Sequence, residues 1–182
     1  IIAQSETRVL AFLNIVGAGM LGAVEQDVSE MEPVPCAKMV EKYPEHIIGI
    51  KTAHFGGTGW EAVDAAIEAG KLSRKPVMID FWPGPTRPYP ELILNRMRPG
   101  DIHTHVYAKH IPTLDESENV AEYMLKAREK GVLFDLGHGG GSFWFRVAVP
   151  AIKQGFMPDT ISTDLHKQSA LIPNANMLTT MS

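Results

Sequence analysis

A single cysteine, Cys36, stands in a chain of 182 residues. That excludes an internal disulfide framework and any zinc site built on cysteines. Basic residues are in the minority: 17 Lys and Arg against 21 Asp and Glu give a net charge of −4, with a sequence pI near 6.0. A nucleic-acid surface needs clustered cations, so a nucleic-acid partner is excluded. No run approaches the roughly 18 apolar residues of a membrane span, and the start has no signal-peptide pattern. Low-complexity tracts and short repeats are missing too, and nothing names a compartment beyond the cytoplasmic default of a soluble chain. What is there is a hydrophobic fraction of 45%, enough for a real core. The length suits one domain or part of a larger one.

The two ends read as cuts. Ile1 opens directly in apolar sequence, and Ser182 closes Met-Leu-Thr-Thr-Met-Ser with no terminating element. The expectation is a partial domain over 1–182, truncated at both ends.

Between them the pattern alternates strand and helix. Strands are predicted at Arg8–Ile15, His46–Lys51, Pro76–Asp80, Asp101–His105, Val132–Leu136 and Thr160–Thr163. Helices are predicted at Ala37–Tyr43, Trp60–Ala69, Glu91–Met97, Glu116–Lys130 and Ser142–Gln154, with Gly131 as a C-cap and Pro150 as a kink. An acidic loop over Gly19–Pro35 carries Glu25, Asp27, Glu30 and Glu32. The strands are apolar without internal alternation, as when both faces of a parallel sheet are covered. Such alternation means a doubly wound sheet or a (β/α)8 barrel.

The polar residues decide between them. Five successive strands end on Lys51, Asp80, His105, His138 and Asp164, spaced 25 to 33 residues apart. A barrel of about 250 residues in eight units has that period and keeps its active site at the C-terminal strand ends. A doubly wound sheet gathers function at one switch point instead. The reading is therefore an α/β chain covering about strands 3–8 of a (β/α)8 TIM barrel. The two missing staves then fall before Ile1. Open sheet edges in such a piece invite pairing with another copy, so a homo-oligomer is an expectation.

Imidazole and carboxylate donors suit Zn²⁺ or a similar divalent ion. A lysine belongs in such a set if its amine has taken up CO2 as a carbamate, an anionic ligand able to bridge two metals.

The segments Gly-Ile-Lys51, Pro-Val-Met-Ile-Asp80, Pro-Gly-Asp-Ile-His-Thr-His105, Val-Leu-Phe-Asp-Leu-Gly-His138-Gly-Gly-Gly-Ser-Phe and Asp-Thr-Ile-Ser-Thr-Asp164-Leu-His carry a resemblance. They resemble the amidohydrolase superfamily, most of all its dihydroorotase-like amidohydrolase/deacetylase branch, from about Arg8 to Ser182. The resemblance implies that Lys51 is the carboxylated bridging lysine and His105 the sixth-strand ligand. Asp164 would be the eighth-strand ligand and general base. His138, Gly139 and Gly140 would lie where substrate binds. Asp80 stands where the family pattern has a fifth-strand histidine, and the first-strand His-x-His pair is not in the chain. One or two Zn²⁺ are the implied cofactor.

Each of these residues also has a plain structural role to set beside the functional one. Lys51 would be an exposed strand-end lysine, Asp80 a turn cap, His105 a core histidine and Asp164 an N-cap. His103 shares the side-chain parity of His105. Arg87 and Tyr89 are candidates to grip a substrate carboxylate from a loop at the strand ends.

The expected activity is metal-dependent hydrolysis of an amide or ester in a small acylated or cyclic substrate, by a deacetylase or dihydroorotase-like enzyme. Two alternatives stand: a Schiff-base lyase or aldolase using Lys51, and a non-catalytic, ligand-binding remnant of the fold.

Overall fold

In the computed structural model, residues 2–20, 22–171 and 176–182 are described, and the chain divides into two units, Ile1–Phe81 and Trp82–Ser182. In the first, three short apolar runs pair in parallel: β1 (Ala11–Asn14) with β2 (Ile47–Thr52), and β2 with β3 (Val77–Ile79). Between them run helices α1 (Pro33–Lys42) and α2 (Glu61–Ser73). Proline at the first position of α1 needs no N–H partner, so the helix starts at Pro33, four residues before its predicted start. Ala62, Val63, Ala66, Ile67, Ala69 and Gly70 form the buried stripe of α2 at helical spacing. They close the core over Ile50, Val77 and Ile79, all fully buried. This helix runs on to Ser73, beyond its predicted end at Ala69, and stops where Arg74 turns left-handed at φ 55°.

The acidic loop is not wholly irregular. Gly22–Gln26 and Val28–Glu30 form two 3₁₀ turns, the second capped by the Asp27 carboxylate on Ser29 N.

In the second unit, α3 (Tyr89–Glu91) passes into a π-helical turn over Leu92–Arg96, followed by β4 (Ile102–His103) and α4 (Glu122–Lys130). Then come β5 (Leu133–Phe134), α5 (Phe145–Lys153) and α6 (Met177–Met181). β4 and β5 pair in parallel. The sixth predicted strand, Thr160–Thr163, is reduced to one parallel bridge, Asp135 to Thr160. Its backbone still receives Leu136 N on Thr160 O, His138 N on Ser162 O and Gly139 N on Thr163 O, each at 3.0 Å. It is an extended edge rather than a regular strand.

Two predicted elements are shorter than expected for local reasons. The helix predicted from Glu116 begins at Glu122, because the Asp115 carboxylate takes the N–H groups of Ser117 and Asn119. That Asx-type turn competes with helix and puts Glu118 at φ 60°. β4 ends at His103 because the chain turns left-handed at His105, φ 62°. α5 accommodates Pro150 near its end.

Phe134 and Phe156 pack at 5.1 Å in this unit's core, with the Arg128 guanidinium 4.3 Å over the Phe156 ring. Tyr107 donates its hydroxyl to Phe156 O at 2.6 Å. Burial pushes the Tyr107 phenol up to about 12. No described helix is long and apolar enough to cross a membrane.

Candidate functional site

The first unit carries Lys51 and Asp80 at the ends of neighbouring strands. Lys51 is the next-to-last residue of β2, half-buried, with Nζ 4.0 Å from the thioether of Met78. No carboxylate of the described residues lies within ion-pair reach of that amine. Asp80 follows β3, and its N–H donates to Thr52 O at 3.0 Å, which pins it beside the end of β2.

A third residue, outside the motif segments, joins them. His54 meets Glu25 Oε2 through Nδ1 at 2.7 Å and stands 3.7 Å from Asp80 Oδ2 through Nε2. Glu25 is buried although it lies in the acidic loop. Its other oxygen accepts from Gly22 N at 2.9 Å. The signal available in sequence was weak: His54 follows Gly-Ile-Lys51 by three residues, but its partner Glu25 is 29 residues away in the acidic loop.

The second unit places His105, His138 and Asp164 around one backbone loop. His105 is buried, and Nδ1 lies 2.7 Å from Gly137 O. A carbonyl only accepts, so Nδ1 carries the proton and Nε2 of the neutral ring presents a lone pair. That is the tautomer a metal ligand needs. Gly137 is held at φ 54°, and a β-carbon there would lie 2.6 Å from His105 Nδ1. Gly139, at φ 55°, leaves the space for Asp164: a β-carbon would run into Oδ2. Asp164 is itself left-handed, φ 47°. Its carboxylate is half-buried and accepts no hydrogen bond among the described residues. The N-cap reading of Asp164 is not what is observed, because its carbonyl, not its side chain, faces Ser169 Oγ.

His138 lies flat on Phe143, ring centroids 5.5 Å apart, and its Nδ1 accepts from Gly140 N at 3.4 Å. His166 uses its Nδ1 to accept from Gln168 and Ser169, a turn-closing role.

Asp135 is the second residue that sequence reasoning missed. It sits just past β5, buried, and receives three hydroxyls: Thr104 Oγ1 at 2.8 Å, Ser162 Oγ at 2.8 Å and Thr160 Oγ1 at 2.7 Å. Thr104 precedes His105, and Ser162 is two residues from Asp164, so one carboxylate ties down both segments. A carboxylate inside the apolar run Val-Leu-Phe-Asp-Leu was the available sign.

His103 and Tyr89 are packing residues. His103 is fully buried with Tyr89 edge-on to it at 5.1 Å. Tyr89 is core rather than a substrate grip, and burial holds its phenol well above the ordinary range. Arg87 is buried too and donates to Trp82 O at 3.2 Å. Trp82 is exposed, stacked on His110 at 3.9 Å. Cys36 is buried, and its thiol is pushed up to about 11, which removes it as a nucleophile near neutral pH.

Among the described residues no three His, Cys, Asp or Glu side chains converge as a finished metal cage. The donor chemistry nevertheless fits a divalent ion. His105 has the ligand tautomer, and His54 has a carboxylate on one ring nitrogen and Asp80 facing the other.

No family model matches the chain. Individual proteins do. It is 33% identical over 191 residues to a deacetylase of Brucella anthropi and 32% identical over 191 residues to a deacetylase of Agrobacterium fabrum, each match covering 100% of this chain. A deacetylase of Enterococcus faecalis is 30% identical over 90% of the chain. The chain spans about half the length of these relatives, 46% to 47%. Among solved structures, a dihydroorotase superposes with a TM-score of 0.83 at 31% identity, over 100% of this chain and 49% of that one. An adenine deaminase gives 0.79 at 28% identity, over 91% and 46%.

Proposed function

Since the chain belongs to the amidohydrolase superfamily and covers part of its (β/α)8 barrel, we propose that it is the catalytic part of a metal-dependent hydrolase. The bond cleaved is the amide, or the ester, of a small acylated acid; a dihydroorotate-like cyclic amide is the second substrate class. Likeness to deacetylases along the whole chain supports a hydrolase. The observation that carries the chemistry is Asp164, a half-buried carboxylate kept clear by Gly139 and uncommitted to any described hydrogen bond.

The donors proposed are Lys51, as its carbamate, Asp80, His105 and Asp164. One or two divalent ions, Zn²⁺ by donor type, would polarise the scissile carbonyl and acidify a water when bound. Asp164 takes the proton of the attacking water as its oxygen bonds to the carbonyl carbon. The tetrahedral carbon then expels the leaving nitrogen or oxygen, and Asp164 returns the proton to it, so no proton is left over. His105 cannot serve as that base while Nδ1 donates to Gly137 O and Nε2 is a ligand. His138, Gly139 and Gly140 orient the acyl group.

The test is metal content of the full-length protein with and without Lys51→Ala, alongside hydrolysis of N-acyl amino acids and O-acyl hydroxy acids. One to two equivalents of Zn²⁺, lost in the variant together with hydrolysis, is the expected result. Metal-free activity with an imine trapped on Lys51 by borohydride would replace this reading with the Schiff-base one. A metal-loaded protein that hydrolyses nothing would leave the binding remnant.

A further inference from the structure

We propose that His54 is a metal ligand, paired with Asp80 and held in place by Glu25, an inference that rests on the metal-hydrolase reading above. The resemblance assigns no role to His54. Its side chain is 56% exposed, and an ordinary exposed histidine is neither strained nor fastened. This one is both. Its backbone is left-handed at φ 58°, a region that residues other than glycine enter only uncommonly.

Two adjacent residues of the 3₁₀ turn Gly22–Gln26 hold it there. Glu25 engages Nδ1 at 2.7 Å. Gln26 donates to His54 O at 2.8 Å and accepts from Gly56 N at 2.8 Å, so the backbone on either side is fixed as well.

The ring chemistry follows from Glu25. A carboxylate only accepts, so Nδ1 donates, and in the neutral ring Nε2 carries the lone pair that an ion beside Asp80 would take up. That Nε2 lies 3.7 Å from Asp80 Oδ2. The separation is too long for a good hydrogen bond. It is close to the gap of about 3.4 Å between two donors that share one ion at about 2.1 Å each. The pairing also explains how an aspartate can stand at the fifth strand end. The imidazole missing from that position is supplied from the end of the previous strand, three residues after Lys51.

The probe is Zn²⁺ alone, titrated into metal-free full-length protein in competition with a chromophoric chelator; Co²⁺ is bound separately and read by its visible absorption. The variants are His54→Gly, which suits the left-handed backbone, and Glu25→Gln, which keeps shape but weakens the grip on Nδ1. Circular dichroism checks each fold. Expected are a loss of Zn²⁺ affinity of about 100-fold or more in His54→Gly and about 10–100-fold in Glu25→Gln, with a changed Co²⁺ spectrum in both. If folded His54→Gly and Glu25→Gln hold Zn²⁺ as the wild type does while Lys51→Ala and Asp80→Asn lose it, His54 is no ligand and the hydrolase reading survives. If the wild type binds no Zn²⁺ or Co²⁺ at all, the hydrolase reading falls and takes this inference with it.

Discussion

Thr104 donates its hydroxyl to Asp135 Oδ2 at 2.8 Å, and the same oxygen receives Ser162 at 2.8 Å. One carboxylate oxygen thus joins the segment entering His105 to the segment entering Asp164. Asp135→Ala strands a buried hydroxyl and releases both segments, at a cost of about 1–3 kcal/mol. Asp135→Asn costs less, because its amide oxygen still accepts. Urea denaturation of the two variants checks the order, and equal midpoints would contradict it.

Gly139→Ala sets a methyl group against Asp164 Oδ2 on a backbone at φ 55°. Hydrolysis is expected to fall by about 10-fold or more through displaced catalytic geometry, with the far-ultraviolet spectrum unchanged. A variant with wild-type kcat would show that Asp164 does not need its present place.

Asp164→Asn keeps the shape of the side chain and removes its basicity. The expected loss in kcat is about 10²- to 10⁴-fold. The kcat–pH profile should also lose the limb that reports a base needing to be deprotonated. Retention of that limb would assign the base elsewhere.

His105→Asn tests the tautomer argument. Asn tolerates the left-handed backbone at φ 62°, so the fold should persist while Zn²⁺ uptake drops. Metal content by atomic emission, beside a thermal melt, separates the two effects.

Cys36 gives a prediction in pH. Its thiol ionises near 9.0 in an unfolded chain but at about 11 when buried. Above pH 9 the unfolded state therefore releases a proton that the native state still holds. Stability conferred by the neutral thiol is complete below pH 9 and declines as pH rises toward 11. Comparing denaturation midpoints of wild type and Cys36→Ala across that window checks it; the variant should decline less.

The parts of this molecule legible in sequence are those set by neighbours along the chain. Gly131 ends α4 at φ 98°, as a glycine after a helix should. Apolar runs mark β2 and β3, and Lys51 and Asp80 fall at their ends. Chemistry set by distant partners was not legible. Glu25 reads as one more acid in a solvated loop until His54 arrives from 29 residues away. Asp135 reads as a strand residue because its three hydroxyls come from positions 104, 160 and 162. The early end of β4 followed from the turn at His105, a backbone state that no apolar pattern encodes.

Among the described residues, five that are not glycine are left-handed, and three of them are His54, His105 and Asp164. That backbone state is hospitable to a short alphabet: glycine, asparagine, aspartate and histidine. Asparagine, aspartate and histidine codons differ by a single first base, and aspartate and histidine are both metal donors. At these three positions one point mutation can exchange an oxygen donor for a nitrogen donor with little conformational penalty. For the metal site proposed above, the choice of ion would thereby be free to drift on an evolutionary timescale while the scaffold stays as it is.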